Sequence, residues 1–412
     1  MADIRLQASD LLSLLSKQRT FPRGTCRHVI KGIAGPDKDG SVYAIVHYFQ
    51  GHDVESADSY VAGGVLKLDM KNRRIQWLHK VTGSLIINGY GGWPSTGPAP
   101  HFSEDGSVFV VSGDGTKLYF LTTDMEIEEN KCEKPVRSTL YEYDTITGIE
   151  RSVAHVPNFF RYGFFVSPDG SKLLVPHHED EQGDSVGQVY DLKNGKVHSL
   201  ASSASHWCRW YKSSMCFSND GNRIVFTCKD ISGDYAAAMV FNANTGRPLF
   251  SEDKVIHRGS EVQVEGDISS SCVAPITGGY LFAFSDGFVK TDENLNQVEY
   301  MPLDSKDIRS REPLFFMLDA QCRFGLVAWN EAYCYVDFEE HTYCDDIPTF
   351  GSDNYNSAWM ILFSRDGSKL YSDFKVNVWE VPLSGLPMKP FAAPKPAEPE
   401  FDWSMFFNEG DN

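Results

Sequence analysis

The chain of 412 residues carries 56 Asp and Glu against 38 Lys and Arg, a formal charge of −18, with 42% hydrophobic and 13% aromatic residues. That apolar content sustains a packed core and excludes a disordered chain. The charge argues against a nucleic-acid backbone or an anionic membrane as the main partner, since both require clustered Lys and Arg, and it is compatible with a basic protein or peptide partner.

The N-terminal stretch Met1-Ala2-Asp3-Ile4-Arg5 lacks a basic region followed by an apolar run, and no apolar run reaches bilayer length. An intracellular location, cytoplasmic or nuclear, is expected. Cys26, Cys132, Cys208, Cys216, Cys228, Cys272, Cys322, Cys334 and Cys344 form no CxxC pair and read as free core thiols.

Residues 1–25 form a closure segment. Ser9 and Asp10 are placed to cap a short helix over Leu11 to Lys17, and Ile4 to Ala8 reads alternatively as a strand. From Cys26 to Val381 the pattern is strand after strand. The punctuating unit is an apolar run, a Ser-x-Asp-Gly turn and a second alternating run, as in VSPDGSKLLV at 166–175. It recurs in FSEDGSVFVV at 102–111, FSNDGNRIVF at 217–226 and FSRDGSKLY at 363–371. Asp-Gly supplies the positive φ of a tight hairpin, and the alternation gives each strand one buried face. A third strand ends in an acidic or amide residue, and a fourth follows a turn such as Thr147-Gly148, Asn194-Gly195 or Thr245-Gly246.

Seven such units are predicted, beginning near Arg27, Ala99, Arg161, Lys212, Ser269, Pro313 and Ala358. In the second, strands are expected at Ala99 to Phe102 and Ser107 to Val111 around the Asp105-Gly106 turn, with an extension through Lys117 to Leu121, then at Thr139 to Asp144 and Ile149 to His155. In the fifth, Gly278-Gly279 replaces Asp-Gly. Units of four antiparallel strands at this spacing specify an all-β, seven-bladed β-propeller. The seventh unit lacks a fourth strand. A ring closes without an exposed edge when that strand comes from elsewhere in the chain, and Ile4 to Ala8 is preferred over residues 386–391. Residues 382–412 change character. Pro382, Pro387, Pro390, Pro394, Pro396 and Pro399 make a polyproline-like linker, followed by an acidic tail with Phe401, Trp403, Met405, Phe406 and Phe407. That tail is either a clip onto its own propeller or a linear motif for another protein.

The stretch FSRDGSKLYSDFKVNVWEV at 363–381 resembles WD40-like repeats, with Trp379-Glu380 standing where that family usually has Trp-Asp. Tyr143-Asp144, Tyr190-Asp191 and Val336-Asp337 are similar, whereas the Gly-His dipeptide that often precedes a blade is missing from most units. The resemblance implies a rigid disc with loops on two faces that binds proteins or peptides across one face and carries no chemistry.

Aromatic and Arg residues gather in the connections that enter innermost strands. They are Tyr90 and Trp93 in the long Gly/Pro-rich loop 86–100, then Phe160, Arg161 and Tyr162, then His206, Trp207, Arg209 and Trp210. Such connections open on one propeller face, so these residues are candidate partner-binding positions, with Phe401, Trp403, Phe406 and Phe407 as a tail motif. Packing between blades is the alternative use of the loop residues. His177, His178, Glu179, Asp180, Glu181 and Asp184 have metal-ligating side chains, yet adjacent residues on extended chain point opposite ways, and a solvated acidic loop is expected. Asp37, Asp39 and Gly40, like Asp114 and Gly115, read as turns because the later bidentate Glu of a calcium loop is missing. No catalytic motif, cofactor signature or metal site stands out. The expected role is a protein-interaction scaffold or adaptor subunit. The alternative is a propeller hydrolase or lyase with its site at the central channel.

Overall fold

The computed structural model describes residues 2–5, 26–50, 60–82, 99–101, 109–127, 133–157, 165–176, 185–201, 215–229, 236–250, 254–255, 272–284, 287–303, 313–329, 332–345, 347, 361–374 and 377–392. Within them the chain forms seven antiparallel sheets and no helix; five are built wholly from sequence-adjacent strands, and two also take a strand from elsewhere in the chain.

Blade 1 is Cys26–Ala34, Val42–Gln50, Tyr60–Asp69 and Arg74–Thr82. Blade 3 is Phe165–Val166, Lys172–Pro176, Ser185–Asp191 and Val197–Ala201. Blade 4 is Met215–Phe217, Arg223–Lys229, Ala236–Asn242 and Lys254–Val255. Blade 5 is Cys272–Ile276, Gly279–Phe284, Gly287–Asp292 and Gln297–Pro302. Blade 6 is Pro313–Leu318, Phe324–Trp329, Ala332–Asp337 and Thr342–Cys344.

Blade 2 corrects the expected strand assignment. Ala99–His101 and Phe109–Val111 both pair with Lys117–Ile127, at Thr123 to Leu121 and Phe120 to Leu118 respectively. They are two halves of one innermost strand, and Asp105-Gly106 falls between them, outside the described residues. The hairpin turn is Ser112-Gly113-Asp114-Gly115-Thr116. It wins because its Ser and Asp form the complete turn network and it starts the next strand at Lys117, whose ammonium reaches Glu142 at 3.2 Å. Glu133–Asp144 and Glu150–Pro157 complete the blade.

Blade 7 is Ile361–Phe363, Lys369–Phe374 and Asn377–Pro382, with Ala2–Arg5 as its outermost strand. Asp3 lies opposite Trp379 and Ile4 opposite Val378. The N-terminal segment therefore closes the ring, as preferred, though over residues 2–5. The expected helix over Leu11 to Lys17 lies outside the described residues. Residues near 386–391 have a different place: Lys389–Pro390 forms a fifth strand beside Thr342–Cys344 of blade 6.

The core is divided into seven clusters, each shared by two consecutive blades. Strand alternation is the cause, because one strand feeds both neighbours. Ile224 and Phe226 join Leu174 and Val189 between blades 3 and 4, while Val225 between them joins Phe282 and Val289 between blades 4 and 5. The series passes through blades 5 and 6 at Phe288 and Phe316, and blades 6 and 7 at Tyr335 and Phe363. It closes where Val42 and Leu66 of blade 1 meet Tyr371 and Val378 of blade 7. Blades 1 and 2 share Tyr43 and Phe120, and blades 2 and 3 share Tyr119 and Leu173.

Candidate binding surfaces

Because every strand reverses the one before it, turns between first and second strands lie at one face of the disc and blade-to-blade connections at the other. The first face is held by one repeated network. In blade 3 the Lys172 N–H donates to Ser167 Oγ at 2.9 Å, and the Ser167 hydroxyl donates to Asp169 Oδ1 at 2.7 Å. The Ser171 N–H and hydroxyl donate to the same carboxylate oxygen at 3.0 and 2.8 Å. Blades 2, 4 and 7 repeat this around Asp114, Asp220 and Asp366. Gly170 takes φ +65° and donates its N–H to Ser167 O at 2.8 Å. Turns of different blades touch: Lys38 N–H of blade 1 donates to Gly115 O of blade 2 at 3.0 Å, and the Arg365 guanidinium of blade 7 approaches Asp114 O of blade 2 at 3.4 Å.

These carboxylates stay ionised. Hydrogen bonds from Ser364 and Ser368 hold Asp366 at a pKa of about 2. Burial would raise Asp169, but the donors at Ser167 and Ser171 outweigh it and bring it to about 2 as well. Their oxygens are engaged in holding the turns. Asp37 and Asp114 serve turns here, as expected. Among the described residues no group of three or more His, Cys, Asp and Glu side chains is arranged to hold a metal ion.

Charged pairs lie inside several blades. Buried Asp37 accepts the Tyr43 hydroxyl at 2.6 Å and pairs with Lys67 at 2.9 Å. Glu142 gathers Lys117, Tyr119 and Arg151. Arg323 meets Asp337 at 2.8 Å, and Lys369 pairs with Glu380, the residue at the Trp-Asp position. Burial pushes the Tyr43 and Tyr119 hydroxyls far up, so neither ionises near neutral pH. Asp144 and Asp191 instead cap the turn to the fourth strand, accepting the N–H groups of Thr147 at 2.7 Å and Lys193 at 2.9 Å. Cys216, Cys272, Cys322, Cys334 and Cys344 are reduced, and burial raises the thiol pKa of Cys216 and Cys334. They pack as small apolar side chains.

The second face differs in relief. Second and third strands span 5 to 7 residues in blades 3 to 7. They span 9 and 10 residues in blade 1, and 11 and 12 in blade 2. The surplus of roughly 3 to 5 residues carries each long hairpin about 10 to 17 Å farther, at 3.3 Å per residue. Sequence reading missed the blade 2 extension, expecting its strands to stop at Leu121 and resume at Thr139. The register continues to Ile127 opposite Glu133. The available signal was the alternation in Thr122-Thr123-Asp124-Met125-Glu126-Ile127, too polar to stand out.

Tyr90 and Trp93, then Phe160, Arg161 and Tyr162, then His206, Trp207, Arg209 and Trp210 all lie outside the described residues. So do the 177–184 loop and Phe401, Trp403, Phe406 and Phe407. The strands that bracket the first three groups are described. They run from Arg74–Thr82 to Ala99–His101, from Glu150–Pro157 to Phe165–Val166, and from Val197–Ala201 to Met215–Phe217. Each group thus connects an outer strand to the next innermost strand, at three successive blade junctions. Among the described residues no helix is long and apolar enough to cross a membrane.

No protein-family model matches the chain, and no curated protein matches it. Solved structures do. The Myceliophteria thermophila Cps50 (Swd1) β-propeller domain superposes with a TM-score of 0.50 at 11% identity, covering 89% of this chain and 100% of that one. Kuenenia stuttgartiensis hydrazine synthase gives 0.49 at 12% identity over 90% and 99% of the two chains. An oligogalacturonate lyase in complex with manganese gives 0.41 at 9% identity over 87% and 91%. At these identities the likeness is one of fold alone: the chain is a seven-bladed β-propeller similar to a WD40-type domain, and a fold by itself does not choose between binding and catalysis.

Proposed function

We propose that the protein is an interaction scaffold, an adaptor subunit of a larger intracellular assembly, that holds a protein or peptide over the second face on the side of blades 1 to 4. The observation that carries this reading is the pair of long hairpins in blades 1 and 2. They wall the same side on which the three aromatic and Arg-bearing connections enter blades 2, 3 and 4. A rigid disc with raised walls and stacking residues recognises an extended or loop-shaped partner through anchors rather than area. The formal charge of −18 favours a partner with basic residues, while Arg161 and Arg209 would engage its aromatic or carboxylate groups by stacking and pairing.

Two variants test this by quantitative crosslinking and mass spectrometry of the native assembly. One replaces Trp93, Arg161, Trp207 and Trp210 with Ala, and the other joins Met125 to Pro135 by a two-residue turn. Both should lose the same crosslinked partner at least ~10-fold, as expected when interface anchors worth over 1 kcal/mol each are removed. Unchanged recovery from both variants, with unfolding midpoints preserved, sinks the proposal.

A further inference from the structure

The rim of the disc carries a strap. After Pro382 the chain turns back over blade 6, with Leu383, Leu386 and Met388 in the cluster between blades 6 and 7. Lys389–Pro390 then pairs with Thr342 and Tyr343. Phe391 stacks on His341 and Tyr343 with ring centroids 5.8 and 6.1 Å away, and meets Phe288 of blade 5 at 6.4 Å. One residue later the Ala392 N–H donates to Pro302 O at 3.1 Å. Pro302 ends the outermost strand of blade 5. The strap thus travels from blade 7 to 6 to 5, opposite to the order in which the blades were built. Residues 393–412 follow, and they hold Glu398, Glu400, Asp402, Glu409 and Asp411 around five large apolar side chains.

The same rim position can be compared across blades by ladder register. Val197 lies opposite Tyr190, Gln297 opposite Thr291, and Tyr343 opposite Val336, each next to the Asp that caps the turn. In blade 6, under the strap, Tyr343 and the next residue Cys344 are 2% and 0% exposed. In blade 5 Glu299, opposite Lys290, is the register counterpart of Cys344, and the bulged residue before it, Val298, is 61% exposed. Leu249 holds that place in blade 4, beside the Phe241–Pro248 bridge, and is exposed too. Apolar side chains are presented where the strap has not yet passed and buried where it has. Beyond Leu249 the rim of blades 4 and 3 carries exposed Arg247, Lys193 and Lys196, opposite in sign to the tail.

We propose that residues 393–412 dock back on their own chain along the outer strands of blades 5 and 4, with Phe401, Trp403, Phe406 and Phe407 covering Val298 and Leu249. Phe401 is nine residues past Ala392, a reach of up to about 30 Å at 3.3 Å per residue, with the Pro-rich stretch serving as a stiff spacer. The surface is separate from the face proposed above for a partner, and either idea can fail alone.

Hydrogen–deuterium exchange of the full chain tests it, against a variant with all four aromatic residues replaced by Ala and against V298D/L249D. Amides of 247–250 and 296–302 should exchange at least ~10-fold faster in the tail variant, and tail amides faster in V298D/L249D, while those of Val42–Gln50 stay the same in all three, because local protection follows local docking. In a chain ending at Ala392, a peptide of residues 393–412 added in excess should restore the protection. Equal exchange in the full chain and the tail variant overturns the proposal. So does protection that fades on dilution, which assigns the rim to the tail of a second copy.

Discussion

Gly170 and Gly195 both adopt positive φ, +65° and +71°, yet they face different surroundings. A Cβ on Gly195 meets nothing, whereas one on Gly170 would strike the Tyr119 hydroxyl, which donates to Gly170 O across the junction of blades 2 and 3. Gly195→Ala should therefore cost about 1 kcal/mol, the left-handed penalty, and Gly170→Ala about 2 to 3 kcal/mol, since the tyrosine loses its place as well. Urea unfolding midpoints of the two variants check the difference. Asp169 and Asp366 give a pH dependence of known sign. Their folded pKa of about 2 lies below the unfolded value of about 3.9, so the stability they add is complete above pH ~4 and disappears as pH falls through ~2. Chemical unfolding followed from pH 5 to 2 should show that decline in the unaltered chain. It should be shallower in D169N/D366N, which keeps the turn's shape without the titrating group.

At the level of the element, the ends of the chain hold the ring. Phe391 touches blades 5 and 6 at once, so Phe391→Ala should cost about 2 to 4 kcal/mol, slightly less than for a fully enclosed phenylalanine, measured by urea unfolding. Removing residues 1–5 uncovers the edge of Asn377–Pro382, and two effects should appear together: a lower unfolding midpoint and concentration-dependent association in sedimentation velocity. Much of this architecture was legible in the sequence. The turns at 167–171, 218–222 and 364–368 declare themselves through Asp-Gly, and Gly278 replaces that pair at φ +79°. Blade 6 hides its turn because Cys322, not glycine, takes φ +59° behind Asp319. Blade 2 offers two Asp-Gly pairs within one strand length, and the one at Asp114-Gly115 is followed by a strand whose first residue, Lys117, pairs with Glu142, a contact between distant positions. The extension of the blade 2 hairpin escapes notice because Thr122 to Glu126 and Glu133 to Ser138 are mostly polar and leave little apolar rhythm. The strap is concealed by its prolines, which signal a spacer even where Leu383 and Phe391 anchor the chain. The aromatic connections were named by composition, and strand order places them at three adjacent junctions, but side-chain geometry there is not something periodicity conveys.

For the whole molecule, the division of the core into junctions governs how it fails. Leu118 is buried between blades 1 and 2, and Leu173 between blades 2 and 3. Each Leu→Ala change should cost about 2 to 5 kcal/mol. Because every blade leans on both neighbours, either change should lower one shared transition rather than create a second, so near-ultraviolet and far-ultraviolet circular dichroism should remain coincident. Two separated transitions in either variant would mean that a subset of blades stands alone. The pairing of Ala2–Arg5 with Asn377–Pro382 also sets an order of events during synthesis. Six blades lie between the two halves of this clasp along the chain, so the circle closes only after blade 7 has been made. Until then the flank of blade 1 that meets Tyr371 and Val378 stays bare.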